Sequence, residues 1–338
     1  MKSRYVPVRY FLIAFVPVII FFLESVITTQ FLTADLSVSV DIMVKNWPWL
    51  ETSGRFRYLG ATWFFASLAL LVFVMDLRDL WLPMERKTRL AAIAVLIGIF
   101  ILAVLPTIGH LQDPEGPRNF HRLGKAIFEE ALGRGSLPGC ETPESRWLLG
   151  ECGNRPVISL LVRMMDVINV FAGLGVGALI VGMILCLDEA PTDGLDAQAF
   201  QLDRNLQRMR RQLYLSGLVL TFGIFFATSW MRWPLPMIAE DHSDAFASLV
   251  SSASLFTGLY ISVLLLSIYL PEALVLDGRR RPLVYFAAYT PELQDPKKRA
   301  EWLKVRGLQS DPTEVYKSGF ALAAPILAAF AGSVPISV

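Results

Sequence analysis

The residues with the clearest chemical potential are charged side chains inside otherwise apolar segments. Glu24 interrupts an apolar run that begins near Tyr10. A charge at membrane depth is costly and by default marks an ion, proton or substrate site. Glu24 is therefore predicted to bind a cation, carry a proton or line a pore. The alternative is a structural carboxylate that accepts hydrogen bonds from neighbouring Ser and Thr side chains.

A second set of polar residues recurs at intervals of three and four, so its members share one face of a helix. Arg163, Asp166 and Asn169 form the polar part of this face and are predicted to line a pore or ion pathway. Gly173 and Gly177 form its bare part, where a small-xxx-small pair lets a second helix approach closely. The alternative for Arg163 and Asp166 is a structural ion pair at spacing i,i+3.

The three cysteines divide into a pair and a singleton. Cys140 and Cys152 fall in one long loop, whereas Cys186 ends an apolar segment. Disulfides persist outside the cytosol and are rare inside it. A Cys140–Cys152 disulfide is therefore predicted, with two unpaired thiols as the alternative.

A heptad-like pattern precedes the fifth apolar segment. Its apolar residues alternate at spacings of four and three, which is the coiled-coil period. The pattern predicts an assembly seam for an oligomer or a cytoplasmic protein partner. The alternative is a helix that packs on the tail of its own chain. The seam residues are Leu195, Leu202, Leu206 and Met209.

Enzymatic and nucleic-acid functions have no sequence support. The chain contains no His-Glu-x-x-His, Gly-x-Ser-x-Gly or Walker-type phosphate loop. The spacing of His110, His121 and His242 matches no compact metal motif, so neither a metal nor a cofactor is predicted. A formal net charge of only +1 gives no electrostatic footprint for phosphate, so no nucleic-acid partner is expected.

The elements that must position these residues are membrane spans. Of the 338 residues, 54% are apolar and 18% charged, and the mean hydropathy is +0.48, which favours a polytopic membrane protein. An all-α fold is predicted: a six-transmembrane-helix bundle that includes residues 1–276, with the lipid bilayer as its first partner. An extracytoplasmic cap covers 110–156 and a cytoplasmic helix covers 195–213. The predicted spans are 10–32, 58–75, 90–109, 157–187, 213–231 and 245–270.

Orientation follows from the positive-inside rule. Lys and Arg concentrate in the N-terminal tail, the second loop, the fourth loop and the residues after the sixth span. Both termini are therefore predicted to be cytoplasmic, in a bacterial-type inner membrane. The tryptophans near span ends, including Trp63, Trp81, Trp230 and Trp233, are predicted to form an interfacial belt.

The last 62 residues, 277–338, are predicted to be a cytoplasmic helical tail. Asp295 and Gly307 are the expected N-cap and exit of a helix over 297–306. A second helix begins near Ser310 and becomes uncharged from Ser318 onward. That apolar part is predicted to be a buried or intersubunit helix, with a re-entrant or surface-lying segment and a seventh span as alternatives.

The function that the sequence favours is a homo-oligomeric channel or pore-like protein controlled through its cytoplasmic helices. The grounds are the polar face on the fourth span, the carboxylate of Glu24 and the heptad pattern. A secondary transporter of an ion or small solute is the first alternative. A scaffold that anchors a cytoplasmic partner without moving a solute is the second.

Overall fold

The computed structural model is an all-helical bundle. It describes residues 3–31, 48–112, 142, 144, 146–147, 150–151, 156–189, 194–233, 235, 238, 240–309 and 312–333. A 3-10 helix over Val8–Ala14 leads into the first α-helix. The α-helices are α1 (Phe15–Phe31), α2 (Pro48–Trp81), α3 (Arg86–Gln112), α4 (Pro156–Ile184), α5 (Leu195–Arg232), α6 (Glu240–Tyr289), α7 (Pro296–Val305) and α8 (Pro312–Ser333). Within the predicted cap, the two-residue strands β1 (Arg146–Trp147) and β2 (Gly150–Glu151) pair antiparallel.

Among the described residues, six helical segments are long and apolar enough to cross a membrane, and each overlaps one predicted span. They are Val8–Thr28, Ser53–Trp81, Arg86–Leu105, Met164–Leu187, Leu195–Arg232 and His242–Tyr289. Large apolar side chains on α1, α2 and α3 are exposed, as in helices that face lipid. The fold therefore supports a multi-pass membrane protein. The predicted continuity from the helix at 195–213 into the fifth span is also confirmed, because α5 is one uninterrupted helix.

The N-terminal segment ties three parts of the chain together at one end of the bundle. Arg4 forms a parallel bridge with Met84 in the α2–α3 connection. The amide of Tyr5 donates to the Asp188 carboxylate after α4 at 2.9 Å, and Arg279 donates to the Asp188 carbonyl at 3.3 Å. The segments with predicted cytoplasmic charge thus share one end, which we name the Asp188 end. The opposite end, which carries Trp233, is the Trp233 end.

Helix α8 packs along α5 and α6. Glu314 accepts a hydrogen bond from Tyr214, and the carbonyl of Ala321 lies against Gly217. Further along, Ala328 packs with Ile224. The paired residue numbers rise together, so α8 runs parallel to α5 from the Asp188 end towards the Trp233 end. One side of α8 is buried in this packing, whereas Phe320, Leu327 and Phe330 are exposed, so the alternatives for this segment stay predictions.

The caps predicted for the short helix α7 are confirmed. The side chain of Asp295 accepts from the Lys297 amide at 2.9 Å, as an N-cap should. Gly307 closes the helix with φ +63°, a left-handed conformation that suits glycine. Asp196 then fixes α7 to α5 by accepting from the indole of Trp302 at 2.9 Å.

Two sequence-based expectations need correction. The expected boundary at 276–277 between bundle and tail lies inside α6, which continues through Pro271 and Pro282 to Tyr289. Trp230 and Trp233 are fully buried against Tyr58 instead of lying in an interfacial belt. Their amphipathic rings indicated a membrane interface, but ring contacts with a buried tyrosine, stacked for Trp233 and tilted for Trp230, give them a place in the core. Trp63 and Trp81 are exposed, and their place in an interfacial belt stays a prediction.

Candidate functional site

The main candidate site is a cavity of about 560 Å³ within the bundle. All six long helices contribute to its lining, and its surface is mostly apolar. Ligand sites for small molecules commonly measure about 300–1,000 Å³ and combine an apolar lining with a few convergent polar groups. The size and lining of this cavity therefore match a ligand site, and we name it the central cavity.

Polar side chains from α1, α4 and α6 line the central cavity, and those on α6 are Ser252, Thr257 and Tyr260. Glu24 and Thr28 line it from α1, where the Thr28 hydroxyl donates to the Glu24 carboxylate at 2.9 Å. Asn169 lines it from α4. The structure thus brings Glu24 and Asn169, two residues predicted for a polar pathway, to the same cavity. The carboxylate and amide oxygens can accept hydrogen bonds, and the Asn169 amide can also donate.

Helices α1 and α3 both form part of the wall of the central cavity but have little contact with each other. Helix α1 packs on α6, and the preceding 3-10 helix packs on α3 near the Asp188 end. Both α1 and α3 line the cavity, yet among the described residues the two helices share no extensive contact.

The remaining residues of the predicted polar pathway are not brought to the cavity lining. Asp166 is buried at 2% exposure on α4, one turn from Asn169, and is not among the lining residues. The side chain of Arg163 lies outside the described part of the structure. The pore role of these two residues, and the alternative ion pair between them, stay predictions.

The glycine pair on α4 faces α3. A β-carbon at Gly173 would collide with the β-carbon of Ala103, and one at Gly177 would lie 3.1 Å from Ile99. The two helices therefore approach closely along this glycine face. Gly173 also lines the central cavity, so the same contact shapes its wall.

The predicted assembly seam is covered within the chain. Leu202 and Met209 are each 4% exposed, and both belong to a core cluster that also contains Leu308. Leu195 and Leu206 pack against the same cluster and are partly buried. The seam interpretation is corrected accordingly: the heptad spacing arises because α5 packs on its own chain, including the segment after α7.

The predicted disulfide falls on residues that the structure does not describe. Cys140 and Cys152 both lie outside the described ranges, so their linkage stays a prediction. Cys186 is a free and buried thiol whose sulfur contacts the carbonyl of Gly182 at 3.2 Å.

Sequence reasoning missed a polar layer nearer the Asp188 end. Gln212 on α5 donates to Asp76 on α2 at 2.7 Å, and both side chains are buried. Gly182 on α4 makes room for this pair, because a β-carbon there would lie 2.7 Å from the Gln212 amide nitrogen. Asp76 directly follows the uncharged run 58–75, so its position at the end of a span was the available signal.

Glu272 completes this polar layer on α6. Its side chain is completely buried, and neither carboxylate oxygen accepts a hydrogen bond from another described residue. Asp76 and Glu272 both lie near the buried Cys186 thiol. The signal in the sequence was a glutamate directly after Pro271 within an apolar segment.

Comparison with known proteins adds no assignment to this geometry. Neither protein-family models, nor curated proteins, nor solved structures give a match to the chain. Across the part of the chain that the structure describes, no three His, Cys, Asp or Glu side chains are grouped so as to hold a metal ion. The central cavity and the polar layer are the candidate sites, on the evidence of their own geometry.

Proposed function

We propose that the protein is a membrane carrier that holds an amphipathic, mainly apolar molecule in the central cavity. The observation that carries this proposal is the cavity itself, with about 560 Å³ of mostly apolar space at the depth of the membrane spans. Apolar burial supplies non-directional binding energy, whereas the few polar groups fix the orientation of a ligand.

The polar group of the ligand is assigned by the chemistry of Glu24. Its carboxylate accepts hydrogen bonds and attracts a cation, and the Thr28 hydroxyl already donates to it. A ligand carboxylate at this point would add a like charge in a poorly solvated site. An amine head, or less strongly an alcohol, with an apolar body fits the cavity best.

A carrier has more geometric support than a channel formed by one chain. The cavity is bounded towards the Asp188 end by Ile180, Leu220 and Leu264, which are apolar. The Thr257 hydroxyl on α6 donates to the Ala253 carbonyl of its own helix at 2.8 Å instead of extending a polar path. The homo-oligomeric channel stays a prediction, as does the scaffold that anchors a cytoplasmic partner.

We also propose a bacterial-type inner membrane with the Asp188 end in the cytoplasm. The basic residues of the N-terminal segment and of two loops meet at that end, which supports the positive-inside orientation. A cytoplasmic C-terminus gains no such support, because α8 runs from the Asp188 end towards the Trp233 end.

The proposal is tested by binding a fluorescent amphipathic amine, pyrenebutylamine, to the full chain in lipid nanodiscs. Ala253 lines the cavity on α6, and Ala253→Phe should fill part of it and reduce probe affinity about tenfold or more. Ala245→Phe makes the same change at an exposed position of α6 and should leave affinity unchanged. Equal affinities of the two variants would refute the cavity as the binding site.

The head-group assignment has its own control. Pyrenebutyric acid has a similar apolar body but an acidic head, so it should bind more weakly than the amine. Glu24→Gln removes the charge with little change in shape and should reduce the preference for the amine. If both probes bind equally well to the unaltered protein, the assignment of an amine head is wrong.

Flux separates a carrier from the two competing hypotheses. In sealed proteoliposomes a carrier should move pyrenebutylamine across the membrane with saturable kinetics and show no single-channel conductance. Steady conductance would favour the channel prediction. If the protein shows neither flux nor conductance and a cytoplasmic partner is recovered with it, the scaffold is favoured.

A further inference from the structure

Glu272 is the least compensated ionisable side chain in the described bundle. Its exposure is 0%, neither carboxylate oxygen accepts a hydrogen bond from another described residue, and no described cation lies within salt-bridge distance of it. An isolated buried carboxylate anion costs far more than its protonated form, which has no net charge. The arrangement in the structure therefore fits a Glu272 that carries a proton.

The position of Glu272 connects this proton to the central cavity. Helix α6 lines the cavity from Leu249 to Leu264, and Glu272 lies two turns further on, about 12 Å along the helix. Pro271 has no amide hydrogen, so the carbonyl of Ser267 lacks its usual helical partner. The proton site thus lies beside one of the two prolines inside the helix that forms much of the cavity wall.

The surrounding elements contribute other ionisable groups but no direct partner for Glu272. Arg4 pairs with Asp79 at 3.6 Å, and Arg279 pairs with Glu189 at 2.6 Å. The ionisable groups on the packed elements are Arg4 and Tyr10 before α1, Asp76 on α2, Cys186 after α4, Arg208 on α5, Asp277 and Arg279 on α6, and Glu314 and Lys317 on α8.

We infer that Glu272 is a proton-binding site whose occupancy controls ligand binding in the central cavity. This inference rests on the proposed function and names the proton as the coupling ion. When Glu272 gives up its proton to water, its carboxylate becomes negatively charged. This charge requires hydration or a counter-charge, which the described packing around Glu272 does not supply. Deprotonation would open α6 near Pro271 and shift the cavity wall. The protonated form is the one that holds the ligand.

The proton itself is tested without any ligand, by infrared spectroscopy of the protein in nanodiscs at pH 7. The spectrum should contain a protonated-carboxyl band that disappears in Glu272→Gln. Glu301→Gln removes an exposed carboxylate from α7 and should leave that band in place. A difference spectrum that shows an ionised carboxylate at Glu272 would overturn the inference. Glu272→Met provides a second neutral variant if the glutamine variant does not assemble.

The coupling is tested by measuring pyrenebutylamine affinity between pH 6 and pH 9. Coupled sites typically change each other's affinity by about 5–150-fold, and we expect about a tenfold loss as the pH rises and Glu272 loses its proton. Glu272→Gln should keep the low-pH affinity throughout this range. Glu24→Gln should weaken binding at every pH but retain the pH dependence. The same pH dependence in Glu272→Gln as in the unaltered protein would overturn the coupling.

The two measurements separate failure of the inference from failure of the proposed function. Absence of probe binding to the unaltered protein would refute the proposed function, and the coupling with it. The infrared difference spectrum would still decide whether Glu272 binds a proton. Probe binding without a protonated Glu272 would overturn the inference and leave the carrier proposal standing.

Discussion

Replacing Gly258 with alanine should loosen the packing of α8 on α6. A β-carbon at this position would lie 2.6 Å from the β-carbon of Ala329 and 3.2 Å from the carbonyl oxygen of Pro325. Carbon atoms pack best at about 3.5–4.0 Å, so the helices would have to separate locally by about 1 Å. Overpacking of this kind costs about 1–3 kcal/mol. The gain in helix propensity from Gly to Ala, about 1 kcal/mol, opposes it.

The assay compares this change with the same change where no neighbour is present. Gly60 and Gly98 have no atom within 4 Å of an added β-carbon, so their alanine variants should be unchanged or stabilised by up to about 1 kcal/mol. The free energy of unfolding, measured by SDS titration in mixed micelles, should therefore be about 1–3 kcal/mol lower for Gly258→Ala than for Gly98→Ala. Ala329→Gly should recover part of the loss in the double variant. If Gly258→Ala is as stable as Gly98→Ala, α8 does not lie on α6 at this depth.

Three further predictions concern contacts at the Asp188 end. Thr88→Val should destabilise the protein by about 1–3 kcal/mol in the same titration, because the buried hydroxyl both donates to the Val6 carbonyl and accepts from its amide; an unchanged midpoint would show that the N-terminal segment is not docked. Gly307→Ala should cost at least about 1 kcal/mol, because its φ of +63° is left-handed and Asp203 occupies the space of a β-carbon; circular-dichroism melting would detect this, and a neutral effect would contradict the turn. Leu202→Glu should destabilise the chain without changing its stoichiometry in native mass spectrometry, because Leu202 is buried within its own chain; dissociation of an oligomer would instead restore the seam hypothesis.

Local signals in the sequence predicted the elements well. The length of the uncharged runs located all six apolar helices, and the Asp295 and Gly307 signals located the ends of α7. These features depend on a few neighbouring residues, so a single sequence contains them. Contacts between residues that are far apart in the sequence cannot be predicted from such local signals. Periodicity assigned Leu202 to an apolar face, but it did not show that the rest of the chain would cover that face.

The candidate site was predicted only in part for the same reason. A charge inside an apolar run singled out Glu24, and helical spacing singled out Asn169, but their meeting at one cavity depends on how α1 and α4 are placed. Asp76 and Glu272 lie near the ends of the uncharged runs, where charged residues usually face the interface. Their burial follows from the packing of α2, α4, α5 and α6, which the sequence pattern does not specify.

Helix α6 is the element through which the cavity, the proton site and α8 can influence one another. Its residues from Leu249 to Leu264 form part of the cavity wall. Within this range, α8 packs closely against Gly258. Glu272 lies further along the helix, directly after Pro271. A bend at Pro271 would move the wall only if the close contact at Gly258 moved with it or gave way. Loosening that contact should therefore make bending easier. Gly258→Ala is accordingly expected to weaken probe binding at low pH more than at high pH, whereas Gly98→Ala should change neither. Equal weakening at both pH values would show that α8 does not restrain α6.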